Sequence, residues 1–132
     1  MTGSYAGNLK VQLVHGPSGA VIHTAAPVDN QGDGSSFSPT DLVAAGLAAC
    51  IVTTMAIVAE REAIDLTGLR FTLEKHMRSD PRRIDRIPIR IEMPAGLDDK
   101  QRRKLEFTAR SCPVNRSLQD GIEESIEFVY PD

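Results

Sequence analysis

Apolar and polar residues alternate near the start of the chain. Leu9, Val11 and Leu13 take every second position, which is the period expected of a strand with one buried face. A stretch rich in Gly and Pro over residues 16–19 predicts a turn, after which residues 20–24 return as a second strand. The pattern therefore predicts a β-hairpin, and the polar, glycine-rich segment that follows it predicts a loop.

A charge-free run from Leu42 to Ala59 occupies the middle of the chain. It follows a helix-start signal in which Ser38 can act as the cap, Pro39 suits the first helical position and Asp41 completes a capping box. We predict a helix from Pro39 to about Ala63. Because the run has no charge, neither face is marked as solvent-exposed, and we expect a buried central helix.

The same run also has the length of a short membrane span, since its 18 uncharged residues reach the lower limit for crossing a bilayer. Many of these residues are Ala, Gly or Thr, which are only weakly apolar. We therefore predict no membrane partner. A helix that is apolar all round needs more cover than so small a chain supplies, and a second copy is the most economical cover. We expect a homodimer.

The second half of the chain predicts another hairpin. Residues 69–77 and residues 87–93 each alternate in polarity, and the turn-like Ser79-Asp80-Pro81 lies between them. Pro88 cannot donate a hydrogen bond to a neighbouring strand. Its own strand should therefore lie at a sheet edge or be locally irregular.

A last strand is predicted near the C-terminus, where Ile126, Phe128 and Tyr130 alternate with polar or smaller residues. The predicted order is two strands, a long helix, two strands, short helices and a final strand. This order is typical of the α+β class, with helices packed against an antiparallel sheet. The length fits a single domain that spans residues 1–132.

Charge and composition argue against several classes of function. The formal net charge of −3 at pH 7 gives no general attraction for nucleic acid. Basic residues cluster between Arg78 and Lys104, but acidic residues interrupt them and no aromatic side chains are interleaved for base stacking. We predict a solvated face there and no nucleic-acid partner. No basic start leads into an apolar segment with a cleavage site, so we expect a cytoplasmic protein.

The two cysteines, Cys50 and Cys112, occur in very different settings. Two cysteines without a CxxC motif make neither a disulfide scaffold nor a zinc signature, and we predict no metal and no cofactor. Cys50 lies in the apolar run, where a thiol can be an inert small hydrophobe. Cys112 precedes a proline that can open a helix, and helix N-terminal N–H groups favour a thiolate. Local physics alone therefore predicts that Cys112 is the more acidic thiol.

Cys112 also falls into the pattern of the helix before it. Leu105, Ala109 and Cys112 stand at positions i, i+4 and i+7, which places the thiol at the end of an apolar stripe. We therefore expect that Cys112 need not be exposed, and two unrelated buried thiols remain an alternative to a redox pair.

Taken in order, these segments resemble the OsmC/Ohr family. Ser38-Pro39-Thr40-Asp41-Leu42 leads into Ala48-Ala49-Cys50, a hairpin and a short helix follow, and the second motif is Cys112-Pro113-Val114 with Asn115 to Leu118 behind it. The similarity extends over nearly the whole chain. The resemblance is specific because of the second motif. An alanine-rich helix alone would not be a specific signal.

The resemblance implies an OsmC-like fold, in which antiparallel sheets wrap around long central helices in an intertwined homodimer with active sites at the subunit interface. It also implies a thiol-dependent peroxidase that reduces organic hydroperoxides or hydrogen peroxide. Cys50 would attack the peroxide and become a sulfenic acid, and Cys112 would condense with it to a disulfide. A dithiol, often a lipoyl group in this family, would then reduce that disulfide.

The chain departs from the family in the cation that would activate Cys50. Peroxidases of this family supply an N-terminal arginine, whereas this chain has no arginine before Arg61. The role is either vacant or taken by another basic side chain. The candidates are Lys10, His15, His23 and a later arginine such as Arg116.

A second departure concerns the glutamate that pairs with this arginine, ten positions before the cysteine. Here that position is Thr40, and its neighbour Asp41 could substitute or could serve the helix cap alone. These departures leave open an alternative function, a small-molecule-binding or redox-sensing member of the family with little peroxidase turnover. The helix-start setting of Cys112 leaves open an exchange of roles between Cys50 and Cys112.

Overall fold

The structure is a computed structural model that describes residues 1–131. The chain divides into two compact units, one made of residues 1–43 and the other beginning at Ala44. Strands and helices are both present, which confirms the predicted mixed α+β class. The first unit holds three strands, and the second holds four strands and two short helices.

The first unit contains an antiparallel sheet in the order β1-β2-β3. Its strands are β1 (Thr2–Gly7), β2 (Lys10–Val14) and β3 (Val21–Ala25). The predicted hairpin is β2–β3, whose register pairs Lys10 with Ala25 and Val14 with Val21. Strand β1 was not predicted, because Tyr5 is the only large apolar side chain in its sequence and no alternation marks it.

The polar loop after β3 includes a short 3-10 helix, Val28–Asn30. Lys10 forms an ion pair with Asp33 at 3.0 Å. Hydrogen bonds from Ser35, followed by the Lys10 contact, lower the pKa of Asp33 to about 2. This loop is therefore tied to β2 by a charged contact on the surface.

Helix α1 (Pro39–Arg61) begins at the predicted residue. The Asp41 N–H donates to Ser38 Oγ at 3.0 Å, and the Ser38 N–H donates to Asp41 Oδ2 at 2.9 Å. The predicted capping box is thus present. The helix ends slightly earlier than predicted, because Ala63 takes a left-handed φ of 52° and the Ile64 N–H closes on the Ala59 carbonyl at 2.8 Å.

Burial along α1 is one-sided in the single chain. One face is buried, and it consists of Ala44, Leu47, Ala48, Ile51, Met55 and Ala59. The opposite face carries a charge-free exposed stripe, which consists of Gly46, Ala49, Thr53 and Ile57. By length and composition α1 could also cross a membrane, but a core helix of a soluble protein has the same properties. A single chain therefore covers α1 on one side only.

The second unit contains a mixed sheet built around one long strand. Its strands are β4 (Arg70–Leu73), β5 (His76–Arg78), β6 (Arg83–Glu92) and β7 (Glu123–Val129). Strands β4 and β5 pair antiparallel with β6, whereas β7 pairs parallel with it. The prediction of a wholly antiparallel sheet was wrong in this respect, because the helical connection before β7 returns the chain in the direction of β6.

Pro88 lies in the interior of this sheet, so its placement on an edge strand was wrong. Strand β6 carries β7 along one side and both β4 and β5 along the other. Pro88 sits opposite the break between β4 and β5, where the Glu74 N–H donates to the Pro88 carbonyl at 3.0 Å. The alternative prediction of a local irregularity is confirmed. Pro88 has no N–H to donate, and it lies where the pairing of β6 passes from β4 to β5.

Two helices, α2 (Asp99–Ala109) and α3 (Pro113–Leu118), connect β6 to β7. Asp98 caps α2 and forms a capping box with Gln101. The hydroxyl of Tyr130 donates to Glu106 Oε1 at 2.7 Å, and the Arg102 guanidinium lies 4.2 Å above the tyrosine ring. Burial and the neighbouring Glu106 raise the pKa of Tyr130. These contacts attach the end of the chain to α2.

Candidate active site

The second unit brings the two cysteines together. Cys50 lies in the middle of α1, and Cys112 lies just before α3. The Cys50 side chain is close enough to Cys112 to raise its pKa, and both are free thiols. The fold thus brings together two cysteines that are distant in sequence, which favours a redox pair over two unrelated buried thiols.

Cys50 is held on the border between core and surface. Its side chain is only partly buried and packs against the hydrophobic core, while the next residue, Ile51, is fully buried. The Thr54 hydroxyl donates to the Cys50 carbonyl at 2.7 Å, which is the back-bonding that a threonine makes inside a helix. The Cys50 thiol therefore projects from a regular helix and is partly accessible to solvent.

Cys112 is the N-cap of α3 and is fully buried. Its Sγ accepts the backbone N–H of Asn115 at 3.3 Å, and Pro113 occupies the first turn of the helix. Leu105 and Ala109 are also fully buried. The sequence stripe that placed the thiol at the end of an apolar face is therefore confirmed.

The pKa of Cys112 is raised above the ordinary thiol value. Burial is the largest cause, and the Cys50 side chain raises the pKa further through its hydrogen bond and its charge. The backbone N–H groups of Asn115 and Val114 oppose these effects. The prediction that Cys112 is an acidified thiol was wrong, because desolvation of a buried thiolate outweighs the few donors of a two-turn helix.

Asn115 links this thiol to two further elements. Its side-chain amide donates to the carbonyl of Arg110 at 3.1 Å, at the end of α2, and to a carboxylate oxygen of Glu124 in β7. Asn115 is buried, with 6% of its surface exposed. Burial raises the pKa of Glu124, and the hydrogen bond from Asn115 partly opposes that shift.

Sequence reasoning missed Asn115 and Glu124. A signal for Glu124 was present, because extending the alternation of Ile126 and Phe128 backward puts a carboxylate on the inward phase of the strand. Asn115 was identified only as part of the second motif. Nothing local predicted that the two would meet.

The proposed substitutes for the family's arginine have other partners or are exposed. Lys10 is paired with Asp33, and His15 contacts the Ser18 hydroxyl at 2.6 Å. The Arg116 side chain is exposed and is not among the described groups that shift the pKa of Cys112. Asp41 participates in the helix cap. No side chain is thereby assigned as the activating cation.

Other possible sites lie away from the thiols. In residues 1–131, no cluster of three or more His, Cys, Asp or Glu side chains could hold a metal ion. A cavity of about 300 Å³ opens at the break between β4 and β5, where Pro88 and the ion pair between Arg90 and Glu127 form part of its wall. Neither cysteine lines it. The thiol pair is the arrangement with the clearest chemistry.

Comparisons with known proteins identify the relatives of this chain. The model of the OsmC-like protein family matches residues 32–127. A crystal structure from Psychrobacter arcticus, provisionally described as an osmotic stress induced and detoxification response protein, is 39% identical with a TM-score of 0.92, covering 96% of this chain and 93% of that chain. The comparison with curated proteins found no match.

More distant structures share the fold. An organic hydroperoxide resistance protein OsmC from Legionella pneumophila is 20% identical with a TM-score of 0.76, covering 97% of this chain and 95% of that chain. A provisionally described organic hydroperoxide resistance protein from Vibrio cholerae, with captopril bound in one of its active sites, is 20% identical with a TM-score of 0.72, covering 95% of this chain and 87% of that chain. With the family model matched over most of the chain, this protein belongs to the OsmC/Ohr family.

Proposed function

We propose that this protein is a cytoplasmic thiol-dependent peroxidase that uses Cys50 and Cys112. The Cys50 thiolate attacks the terminal oxygen of a hydroperoxide and the O–O bond breaks, which leaves a Cys50 sulfenic acid. The leaving alkoxide, or hydroxide from hydrogen peroxide, takes a proton from solvent and departs as an alcohol or as water. The Cys112 sulfur then attacks the Cys50 sulfur. The leaving hydroxide takes the thiol proton and departs as water, and a Cys50–Cys112 disulfide remains.

One observation supports this order of events above all others: a partly exposed Cys50 lies close enough to a fully buried Cys112 to raise its pKa. A peroxide can approach Cys50 from solvent, whereas Cys112 has no exposed surface. The raised pKa of Cys112 also favours its thiol form at neutral pH, which suits a group that acts second. The exchange of roles that local sequence reasoning allowed is therefore disfavoured.

Reduction of the disulfide completes the cycle. The resemblance to the family implies an external dithiol of the lipoyl type, which attacks one sulfur, forms a mixed disulfide and closes on itself to release both cysteines. Burial of Cys112 favours attack at the Cys50 sulfur. That order also makes Cys112 the leaving group.

The proposed active form is an intertwined homodimer with active sites at the subunit interface. The exposed stripe of α1 supports this, because Gly46, Ala49 and Thr53 are small and Ile57 is 46% exposed despite being apolar. A Cβ added at Gly46 would meet no atom within 4 Å. Such a surface allows the backbone of a second helix to approach closely. A copy of the same chain is the occupant we propose.

The alternative is a binding or redox-sensing protein with little peroxidase turnover. The pairing of Lys10 with Asp33 and the threonine at position 40 favour it, since both leave the family's arginine–glutamate pair without an equivalent. The two functions predict different rates of thiol oxidation by peroxide. A peroxidase oxidises its thiols within seconds of peroxide addition, whereas a binding protein oxidises like an ordinary cysteine.

The experiment is oxidation of the fully reduced protein by one equivalent of cumene hydroperoxide or hydrogen peroxide, followed by intact-mass spectrometry. Wild type should lose two mass units as an intramolecular disulfide. Cys112→Ser should accumulate a sulfenic acid on Cys50 that a dimedone-type reagent traps. Cys50→Ser should retain its thiol and serves as the matched control, because it keeps the buried cysteine.

Each outcome has a distinct meaning. Rapid disulfide formation with the sulfenic acid on Cys50 supports the proposed cycle and its order. A sulfenic acid trapped on Cys112 instead would reverse the assignment of roles. If both thiols are oxidised only as slowly as a free cysteine peptide, the result would reject the peroxidase function and favour the binding function.

A further inference from the structure

We propose that Asn115 and Glu124 form a positioning pair that holds Cys112 against Cys50 and so sets the rate of disulfide closure. The role of Cys112 as the resolving thiol rests on the proposed function. The pair itself is assigned from contacts that are independent of the peroxide chemistry. It acts on the second step of the cycle, after the sulfenic acid has formed.

Asn115 reaches three elements from one buried position. Its backbone N–H donates to Cys112 Sγ at 3.3 Å, so it contacts the resolving sulfur directly. Its side-chain amide donates to the Arg110 carbonyl at the end of α2 and to the Glu124 carboxylate in β7. A movement of the residue that holds the thiol therefore breaks contacts to both neighbouring elements.

Glu124 is half-buried in β7, and this burial raises the pKa of its carboxyl group. It shares the inward phase of β7 with Ile126 and Phe128, which pack against the core. Its carboxylate accepts a hydrogen bond from the neutral amide of Asn115. A partly desolvated carboxylate is unfavourable for folding unless its contacts compensate. The hydrogen bond from Asn115, whose backbone N–H binds Cys112 Sγ, gives this carboxylate a role in the site.

The condensation step is sensitive to such positioning. Cys112 must approach the Cys50 sulfur along the S–O bond that breaks, and disulfide geometry tolerates only a narrow range of Cα and Cβ separations. Misplacement by about 1 Å can cost 10²-fold in rate. The Asn115 side chain makes its hydrogen bonds to the Arg110 carbonyl and to Glu124, so the pair acts through the placement of α3 and not as acid or base.

The primary test measures the two steps separately in Asn115→Ala. After a stoichiometric pulse of cumene hydroperoxide, quenched samples are analysed for sulfenic acid and for disulfide by mass spectrometry. We expect sulfenic acid formation within twofold of wild type and disulfide closure at least tenfold slower. The unresolved sulfenic acid should then proceed to sulfinic acid when peroxide is in excess.

Three further variants separate positioning from general damage. Asn115→Asp is nearly isosteric but replaces the amide donor with an acceptor that faces Glu124, so it should slow closure as Asn115→Ala does. Glu124→Gln retains a carbonyl acceptor and should close at the wild-type rate. Ser117→Ala removes a hydrogen bond within α3, from Ser117 Oγ to the Pro113 carbonyl, and is the matched control that should leave both steps unchanged.

A wild-type closure rate in Asn115→Ala or Asn115→Asp would overturn the proposal. Equal slowing of both steps would also overturn it, because that result indicates a loss of structure and not of thiol placement. Thermal unfolding of each variant identifies a failure to fold. If Asn115→Ala does not fold, the comparison of Asn115→Asp with Glu124→Gln still decides.

Failure of the peroxidase function is recognised separately. If wild type forms no sulfenic acid, the closure step is followed with oxidised lipoamide instead. In that reaction one cysteine attacks the reagent disulfide and releases one of its thiols, and the second cysteine closes the protein disulfide and releases reduced lipoamide. A closure in Asn115→Ala at least tenfold slower than in wild type supports the positioning pair even then, and an unchanged closure rejects it.

Discussion

The Cys50 side chain raises the pKa of the Cys112 thiol, so Cys50 is part of the electrostatic environment of Cys112. One is partly exposed on a long helix and the other is buried at the start of a short one. The properties of this pair differ from those of either cysteine taken alone, and the first prediction follows from that coupling.

Removal of the Cys50 thiol should lower the pKa of Cys112. In Cys50→Ala the hydrogen bond and the charge that raise the pKa of Cys112 are both absent, whereas burial remains. We expect a value below that of wild type but still above that of a free thiol. The pH dependence of Cys112 alkylation, followed by site-resolved mass spectrometry, measures it. An alkylation profile that is identical in the two proteins would contradict the coupling.

The exposed stripe of α1 should control the oligomeric state. Ile57→Glu places a charge in the proposed interface, where burial of an unpaired carboxylate should weaken dimerisation at least tenfold. Sedimentation velocity across a dilution series measures the change. Phe107→Glu is the matched control, since Phe107 is an apolar residue on α2 with 77% of its surface exposed. Loss of the dimer in both variants, or in neither, would argue against this stripe as the interface.

The capping box of α1 should contribute measurably to stability. Ser38→Ala removes the acceptor for the Asp41 N–H, and the loss of such a cap costs about 0.5–2 kcal/mol. Urea unfolding at one fixed protein concentration measures the free energy of unfolding. Ser4→Ala, at an exposed position of β1, is the control and should stay within about 0.5 kcal/mol of wild type. Equal effects of the two substitutions would assign no special role to the cap.

Glu124→Gln should stabilise the protein at neutral pH. Burial raises the pKa of Glu124 in the folded state, so the stability that this group contributes is fully present below the ordinary glutamate pKa of 4.5 and is lost as the pH rises through the folded pKa. The glutamine stays uncharged throughout. The variant should therefore be more stable than wild type at pH 7, and the difference should shrink below pH 4.5.

Thermal unfolding as a function of pH measures this effect. Glu123→Gln, which changes the exposed neighbour in the same strand, provides the control and should show only the small change of a surface substitution. A lower stability of Glu124→Gln than of wild type at pH 7 would contradict the prediction, because it would mean that the charged carboxylate stabilises the fold.

Features set by local sequence were predictable. The start of α1 depends on Ser38 and Asp41, which lie three residues apart, and both capping contacts formed as predicted. Cys50 and Cys112 were singled out because each lies in a recognisable segment. In both cases the determining groups are neighbours in the chain, so the pattern contains the information.

Features that are set by tertiary contacts were not predictable from the sequence. The direction of β7 relative to β6 depends on the path of the helical connection and not on the alternation within either strand. The pKa of Cys112 was predicted with the wrong sign because its helix position is visible in the sequence, whereas its desolvation is not. The contact between Asn115 and Glu124 joins a helix to a strand and was invisible for the same reason.

The attachment of Tyr130 to α2 gives the protein an optical reporter without any label. The chain has no tryptophan and only two tyrosines, and the pKa of Tyr130 is raised by its surroundings. At a pH that ionises an ordinary phenol, Tyr130 should remain neutral while its contacts to Glu106 and Arg102 persist. An increase in the phenolate absorbance of Tyr130 then reports the detachment of the C-terminal segment from α2.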